Sequence, residues 1–124
     1  MRKGIWVLSI VLVVALIAGC VGKETRTIVN EQFTVSPGQA KSYYADLKGG
    51  DVVDVSLTVL QGGNLDIDFY IADSDGRKIV SRDRVGETTL QWTVPSSGTY
   101  YFKYDNGMSL VASKIVNTTI KVTG

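Results

Sequence analysis

Val53-Asp54-Val55-Ser56-Leu57-Thr58-Val59 puts four apolar side chains at every second position and polar ones between them. Successive side chains of a strand point to opposite faces, so this is a strand with one buried and one wet face. The pattern repeats down the chain. Leu65, Ile67, Phe69 and Ile71 alternate with Asp66, Asp68 and Tyr70, and Leu90, Trp92 and Val94 alternate with Gln91 and Thr93. Tyr100, Phe102 and Tyr104 alternate with Tyr101 and Lys103, and Val116, Ile120 and Val122 share a face opposite Asn117, Thr119 and Lys121. Turn-forming clusters separate the runs: Ser36-Pro37-Gly38, Gly49-Gly50-Asp51, Gly62-Gly63-Asn64, Asp75-Gly76, Pro95-Ser96-Ser97-Gly98 and Asp105-Asn106-Gly107. Weaker runs at Thr27–Val35, Ala40–Leu47 and Lys78–Arg82 bring the count to about eight strands. One apolar face per strand calls for two antiparallel sheets packed face to face, so the expected fold is all-β, a jelly-roll-like antiparallel sandwich over residues 27–124. Trp92 and Phe102 are expected to point inward from facing sheets.

The beginning of the chain has another character. Arg2 and Lys3 precede a nearly uninterrupted apolar run, no charge occurs from Gly4 to Gly22, and Leu16-Ile17-Ala18-Gly19 leads into Cys20, the one cysteine of the sequence. This is the layout of a secretory signal peptide. Its end resembles the lipobox of prokaryotic lipoproteins, in which a peptidase cuts before a cysteine that already carries a diacylglyceryl group. That resemblance implies a signal peptide over residues 1–19, lipid attachment at Cys20, and a polar tether to residue 26 that reaches roughly 20 Å when extended. Two other readings stay open. The uncharged stretch is about long enough for a helix that spans a bilayer and stays as an anchor, and a soluble secreted protein is the third. All three place the residues after Cys20 on the outer side of the cell membrane, because Arg2 and Lys3 favour the cytoplasm.

Composition excludes several functions. Removing residues 1–19 leaves 11 basic against 12 acidic residues, a formal charge of −1, with no basic cluster of the kind nucleic acid requires. No histidine is present, which removes the usual general base and the commonest metal ligand. Serines therefore lack the base that makes them nucleophiles, and no Ser-x-x-Lys motif offers a substitute. Asp66, Asp68, Asp73 and Asp75 are the densest acidic group, and Asp73-Ser74-Asp75-Gly76 resembles part of a calcium loop. The continuation Arg77-Lys78 lacks the further oxygen ligands and the late glutamate that calcium needs. The expectation is a noncatalytic domain without cofactor or metal.

From about Phe33 to Val122 the chain resembles a GOLD (Golgi dynamics) domain, the lumenal β-sandwich of vesicle cargo receptors. The residues that carry the likeness are Gly62-Gly63-Asn64-Leu65-Asp66-Ile67-Asp68, Asp75-Gly76, Gly98-Thr99-Tyr100-Tyr101-Phe102-Lys103-Tyr104-Asp105-Asn106 and Ser113-Lys114-Ile115-Val116. The resemblance implies a noncatalytic module for protein interaction. It also marks departures: Ser42 and Lys103 stand where the receptors carry a disulfide. The sequence stops at Gly124, where the receptors continue with a coiled coil and a membrane helix, so cargo sorting itself is not carried over. The pre-peptidase C-terminal domain, an accessory sandwich with a carbohydrate or calcium ligand, is the alternative, and Asp66–Phe69 with Gly98–Phe102 fit it acceptably.

Partner contact is expected from loops and outward aromatics. Tyr70 and Tyr101 fall on the polar sides of their strands, where tyrosine combines apolar area with a hydroxyl. Together with the Gly62-Gly63-Asn64 turn they are the expected contact with a protein or envelope component. Asn117-Thr118-Thr119 matches a glycosylation acceptor. Asn106 reads as a marker of its turn rather than a binding residue.

Overall fold

The computed structural model describes residues 23–124, and within them every regular element is a strand. In order they are β1 (Thr25–Val35), β2 (Ala40–Leu47), β3 (Val52–Gln61), β4 (Ile67–Ala72), β5 (Lys78–Val85), β6 (Glu87–Thr93), β7 (Gly98–Asp105) and β8 (Lys114–Thr123). The first sheet runs β1-β8-β3-β6 and the second β2-β7-β4-β5, with every neighbouring pair antiparallel. Every connection between consecutive strands crosses from one sheet to the other, except the β4–β5 hairpin. That is the eight-stranded jelly roll, in which β3 and β8 are interior strands of one sheet and β4 and β7 of the other. The expected signal or anchor segment and the lipid site at Cys20 lie outside the described residues. No helix long and apolar enough to cross a membrane occurs among the residues described.

The period-two pattern fixes the core. Val53, Val55, Leu57 and Val59 of β3 and Val116, Ile120 and Val122 of β8 face Ile67, Phe69 and Ile71 of β4 and Tyr100, Phe102 and Tyr104 of β7, all buried. Tyr104 sits at the centre of an aromatic cluster, with ring centroids 5.0 Å from Phe69, 5.1 Å from Phe33 and 6.0 Å from Tyr43. Burial pushes its phenol well above the ordinary tyrosine range. Tyr43 is raised as well, by burial and then by nearby Glu31. Phe102 is inward and buried, as expected. Trp92 is inward too, edge-on to Tyr100 at 5.1 Å, but only partly covered because β6 is an edge strand.

Several boundaries differ from the sequence reading, among them that of β6, which runs from Glu87 to Thr93 and leaves Val94 outside. Thr25 and Arg26, assigned there to the tether, pair with Thr123 and Val122 of β8 and are already strand. The β5 run extends to Val85 because Val85 pairs with Ile67. Leu65 is not in β4: it closes a turn through its amide, 2.8 Å from the Gly62 carbonyl, has a φ of 57°, and is 47% exposed. Its apolar side chain sits in phase with the strand, but the backbone ahead of β4 is still turning.

Antiparallel strands sort the connections to two ends. One end holds the start of β1, Gly124, and the β2–β3, β4–β5 and β6–β7 turns. The far end holds the β1–β2, β3–β4, β5–β6 and β7–β8 connections. Asn106 binds the far end together. Its buried Nδ2 donates to the carbonyls of Ala112 at 2.9 Å, Val35 at 3.1 Å and Ser36 at 3.3 Å. This agrees with its reading as a fold marker and supplies the reason: one amide serves two loops.

Candidate binding face

The outward sides of the two sheets have different chemistry. On the first, Asn30, Thr119, Ser56 and Thr89 form one cross-strand row, and Gln32, Asn117, Thr58 and Glu87 the next. This is a hydroxyl and amide surface in which side chains bond one another; Thr119 Oγ1 donates to Asn30 Oδ1 at 3.3 Å. Asn117 is exposed there, in the middle of a central strand rather than in a loop.

The outward side of the second sheet carries the tyrosines. The rows there are Ser42, Lys103, Tyr70 and Ser81, then Tyr44, Tyr101, Ala72 and Lys78. Tyr70 and Tyr101 thus lie diagonally across neighbouring strands, with Ala72 and Lys103 at the other two corners. Such diagonal neighbours are roughly 7–8 Å apart, within reach of long side chains. A shallow groove of about 210 Å³ runs through this patch, its lining including Tyr70, Ala72, Asp73, Lys78, Tyr101 and Lys103. The Lys78 ammonium lies 4.3 Å from the centre of the Tyr70 ring, a cation–π contact. Tyr44, 73% exposed, extends the aromatic strip, its ring 6.1 Å from that of Tyr101 at an angle of 43°. The pairing of Tyr44 with Tyr101 depends on the β2–β7 register, which no local pattern reports. Ser42 and Lys103, the positions of the absent disulfide, are direct partners in that same register.

The Gly62-Gly63-Asn64 turn does not join this groove. It lies at the far end, where Gly62 packs on the Ser113 carbonyl so closely that a Cβ there has no room, and its φ of 116° also favours glycine. Beside it Lys114, with a side chain only 3% exposed, donates from Nζ to the Gly62 carbonyl at 3.2 Å and to Asp66 Oδ1 at 3.0 Å. The other oxygen of Asp66 takes the Arg84 Nε at 2.6 Å. Arg84, and secondarily Lys114, hold the Asp66 carboxyl below the usual carboxylate range against the opposing effect of burial. These contacts latch the β3–β4 turn to β5 and β8. Leu110 and Val111, each 90% exposed, stand at the tip of the β7–β8 loop nearby.

The four aspartates do not gather. Asp66 and Asp73 flank β4, roughly 23 Å apart at about 3.3 Å per residue. Asp73 is occupied by the amides of Asp75 and Arg77 and by the Arg77 guanidinium. No group of three or more acidic, histidine or cysteine side chains able to hold a metal occurs among the described residues. The calcium alternative therefore lacks its ligand set: the strand separates the carboxylates and basic side chains neutralise two of them.

A family model, emp24/gp25L/p24 family/GOLD, matches residues 32–124. The chain belongs to that family. The GOLD assignment settles the choice against the pre-peptidase type, and the family is a noncatalytic one, in accord with the histidine-free composition. Among relatives, transmembrane emp24 domain-containing protein 5 of Rattus norvegicus is 29% identical over 101 residues, covering 82% of this chain and 44% of its own length. Transmembrane emp24 domain-containing protein A of Dictyostelium discoideum is 32% identical over 117 residues, covering 91% and 54%. The GOLD chain thus spans about half the length of the curated relatives it matches. In fold it is similar to PliG of Aeromonas hydrophila, a periplasmic inhibitor of g-type lysozyme, with a TM-score of 0.56 at 18% identity over 82% of this chain and 88% of that one.

Proposed function

We propose that this GOLD protein is a lipid-anchored lipoprotein of the outer side of the cell membrane that captures a protein or envelope partner through the tyrosine face of its second sheet. The observation that carries the reading is the placement of Tyr70, Tyr101 and Tyr44 on one outward face, flanked by lysines, while the outward rows of the other sheet, Asn30-Thr119-Ser56-Thr89 and Gln32-Asn117-Thr58-Glu87, carry no aromatic side chain. Tyr44 is exposed and Tyr70 and Tyr101 are half-buried, and clustered tyrosines that solvent can reach are what interfaces select, because they give large contact area at low entropic cost.

Support for the anchor comes from the sequence: Arg2 and Lys3, the apolar run, and the small residues before Cys20. A diacylglyceryl group holds a protein stably without help from the domain, as two chains suffice where one does not. With β1 starting at Thr25, little chain separates the lipid from the sandwich, so the end holding β1 and Gly124 faces the membrane. The far end, with the Gly62-Gly63-Asn64 turn and exposed Leu110 and Val111, stands away from it as the secondary contact.

Two measurements test this. Intact mass of the native protein should show loss of residues 1–19 and a diacylglyceryl adduct on Cys20, both abolished in Cys20→Ser; an unmodified Cys20 on the full chain replaces the lipid by a helical anchor. Capture from native membranes should be weakened in Tyr70→Ser/Tyr101→Ser with the fold intact. Undiminished capture moves the contact elsewhere.

A further inference from the structure

The tyrosine groove has an unbalanced charge, and that imbalance says what its occupant carries. Lys78 and Lys103 both border the groove, and among the described residues neither forms an ion pair. Of the carboxylates around the same face, Asp73 is ion-paired and three others are hydrogen-bonded to neutral donors. Asp73 accepts two backbone amides and the Arg77 guanidinium. Asp46 accepts the Thr99 hydroxyl at 2.6 Å, Asp105 the Gly107 amide at 2.7 Å, and Asp68 the Arg84 amide at 2.8 Å. Within the groove lining two ammonium groups thus stand against one carboxylate, Asp73, which is already ion-paired with Arg77, while Asp68 and Asp105 keep their charges in the row beyond. The lysines lie beside an aromatic strip that runs from Tyr70 through Tyr101 to Tyr44.

We propose that this groove takes an acidic segment of a partner protein: an Asp or Glu side chain set between Lys78 and Lys103, with a neighbouring apolar or aromatic residue lying along Tyr101 and Tyr44. The proposal rests on the binding face argued above and adds the chemistry of the partner. A peptide matches the geometry better than an anionic saccharide does. Sugar rings stack on open, flat aromatic faces. Here the face of Tyr70 is already covered by the Lys78 ammonium, and the Tyr44 and Tyr101 rings are inclined to each other by 43°. A side chain of a few atoms can enter a groove of about 210 Å³ beside such rings, while the peptide continues over the exposed Tyr44. The lysines supply steering and charge selection, and the tyrosines supply contact area.

The test uses the full chain in a non-ionic polyether detergent, immobilised and panned against a random heptapeptide display library. Wild type should enrich peptides in which Asp or Glu neighbours an apolar or aromatic residue. Lys78→Gln and Lys103→Gln should each weaken a selected synthetic peptide about tenfold, with binding falling as salt rises. Lys78→Glu/Lys103→Glu should turn the enrichment toward Lys and Arg, a reversal that an unfolded variant cannot produce. Selected peptides without acidic bias that still require Tyr70 and Tyr101 overturn the charge proposal while leaving the tyrosine face as the contact. Selection of no tyrosine-dependent peptide overturns both. Lysine-dependent binding of polygalacturonate, with no acidic peptide selected, overturns the proposal in favour of an anionic saccharide.

Discussion

The two sheets are joined through their dry interior by a polar chain whose removal can be worked out atom by atom. Tyr104 of β7 and Thr118 of β8 bring their hydroxyl oxygens to 2.6 Å, and Thr118 Oγ1 donates its single proton to the Ser56 carbonyl at 3.0 Å. The Tyr104 phenol must therefore be the donor between them. Tyr104→Phe removes that donor but leaves the bond from Thr118 to Ser56, so the loss is one hydrogen bond, about 0.5–1.5 kcal/mol. Thr118→Val keeps the shape but strands the phenol among Phe33, Phe69 and Tyr43 with no acceptor, which costs about 1–3 kcal/mol. In the double variant nothing is left stranded on the tyrosine side. Its cost should fall short of the sum of the two single changes by about 1–2 kcal/mol. Urea unfolding followed by circular dichroism measures all three variants, and for a domain of this size about 1 kcal/mol corresponds to roughly 4–8 °C in Tm. Single changes that add to within about 0.3–0.5 kcal/mol would mean that the two hydroxyls do not communicate and the facing of β7 and β8 is misplaced.

Other outcomes rest on the same contacts. The raised Tyr104 phenol keeps its proton in the folded state above about pH 10, where an unfolded tyrosine loses it. Stability should be intact below that pH and fall above it, and Tyr104→Phe should flatten the alkaline limb of a pH–melting profile. Asp66 behaves in the opposite sense: its depressed carboxyl contributes stability above about pH 4, lost as pH falls through its folded value. Asp66→Asn should lower Tm at neutral pH, because buried Lys114 loses its counter-charge, and should remove part of the acid-induced drop. Phe102→Ala should cost about 3–5 kcal/mol, whereas Trp92→Ala, on a partly covered edge strand, should cost clearly less. Equal losses in chemical denaturation would place β6 deeper in the sandwich than its edge position allows.

By itself the sequence determined the strands, their buried faces and the turns between them, because side-chain alternation and glycine-bearing turns are local properties of the backbone. It therefore placed Phe102 and Trp92 inward and Tyr70 and Tyr101 outward. The GOLD motifs named the family for the same reason, being short runs in a fixed order. Tertiary structure decided what depends on which strand lies beside which. The β4–β7 and β2–β7 registers put Tyr70, Tyr101 and Tyr44 on one strip and left Lys78 and Lys103 unpaired within it. The same topology sent the Gly62-Gly63-Asn64 turn to the far end, and split four aspartates that look like one cluster in sequence between the two ends of a strand. Thr118 shows the limit most sharply. In sequence it is a hydroxyl among the apolar residues of β8, and only the packing of one sheet on the other supplies the phenol and the carbonyl that let it be buried. Alternation records which way a side chain points; what it meets there is a long-range contact, fixed when the two sheets close.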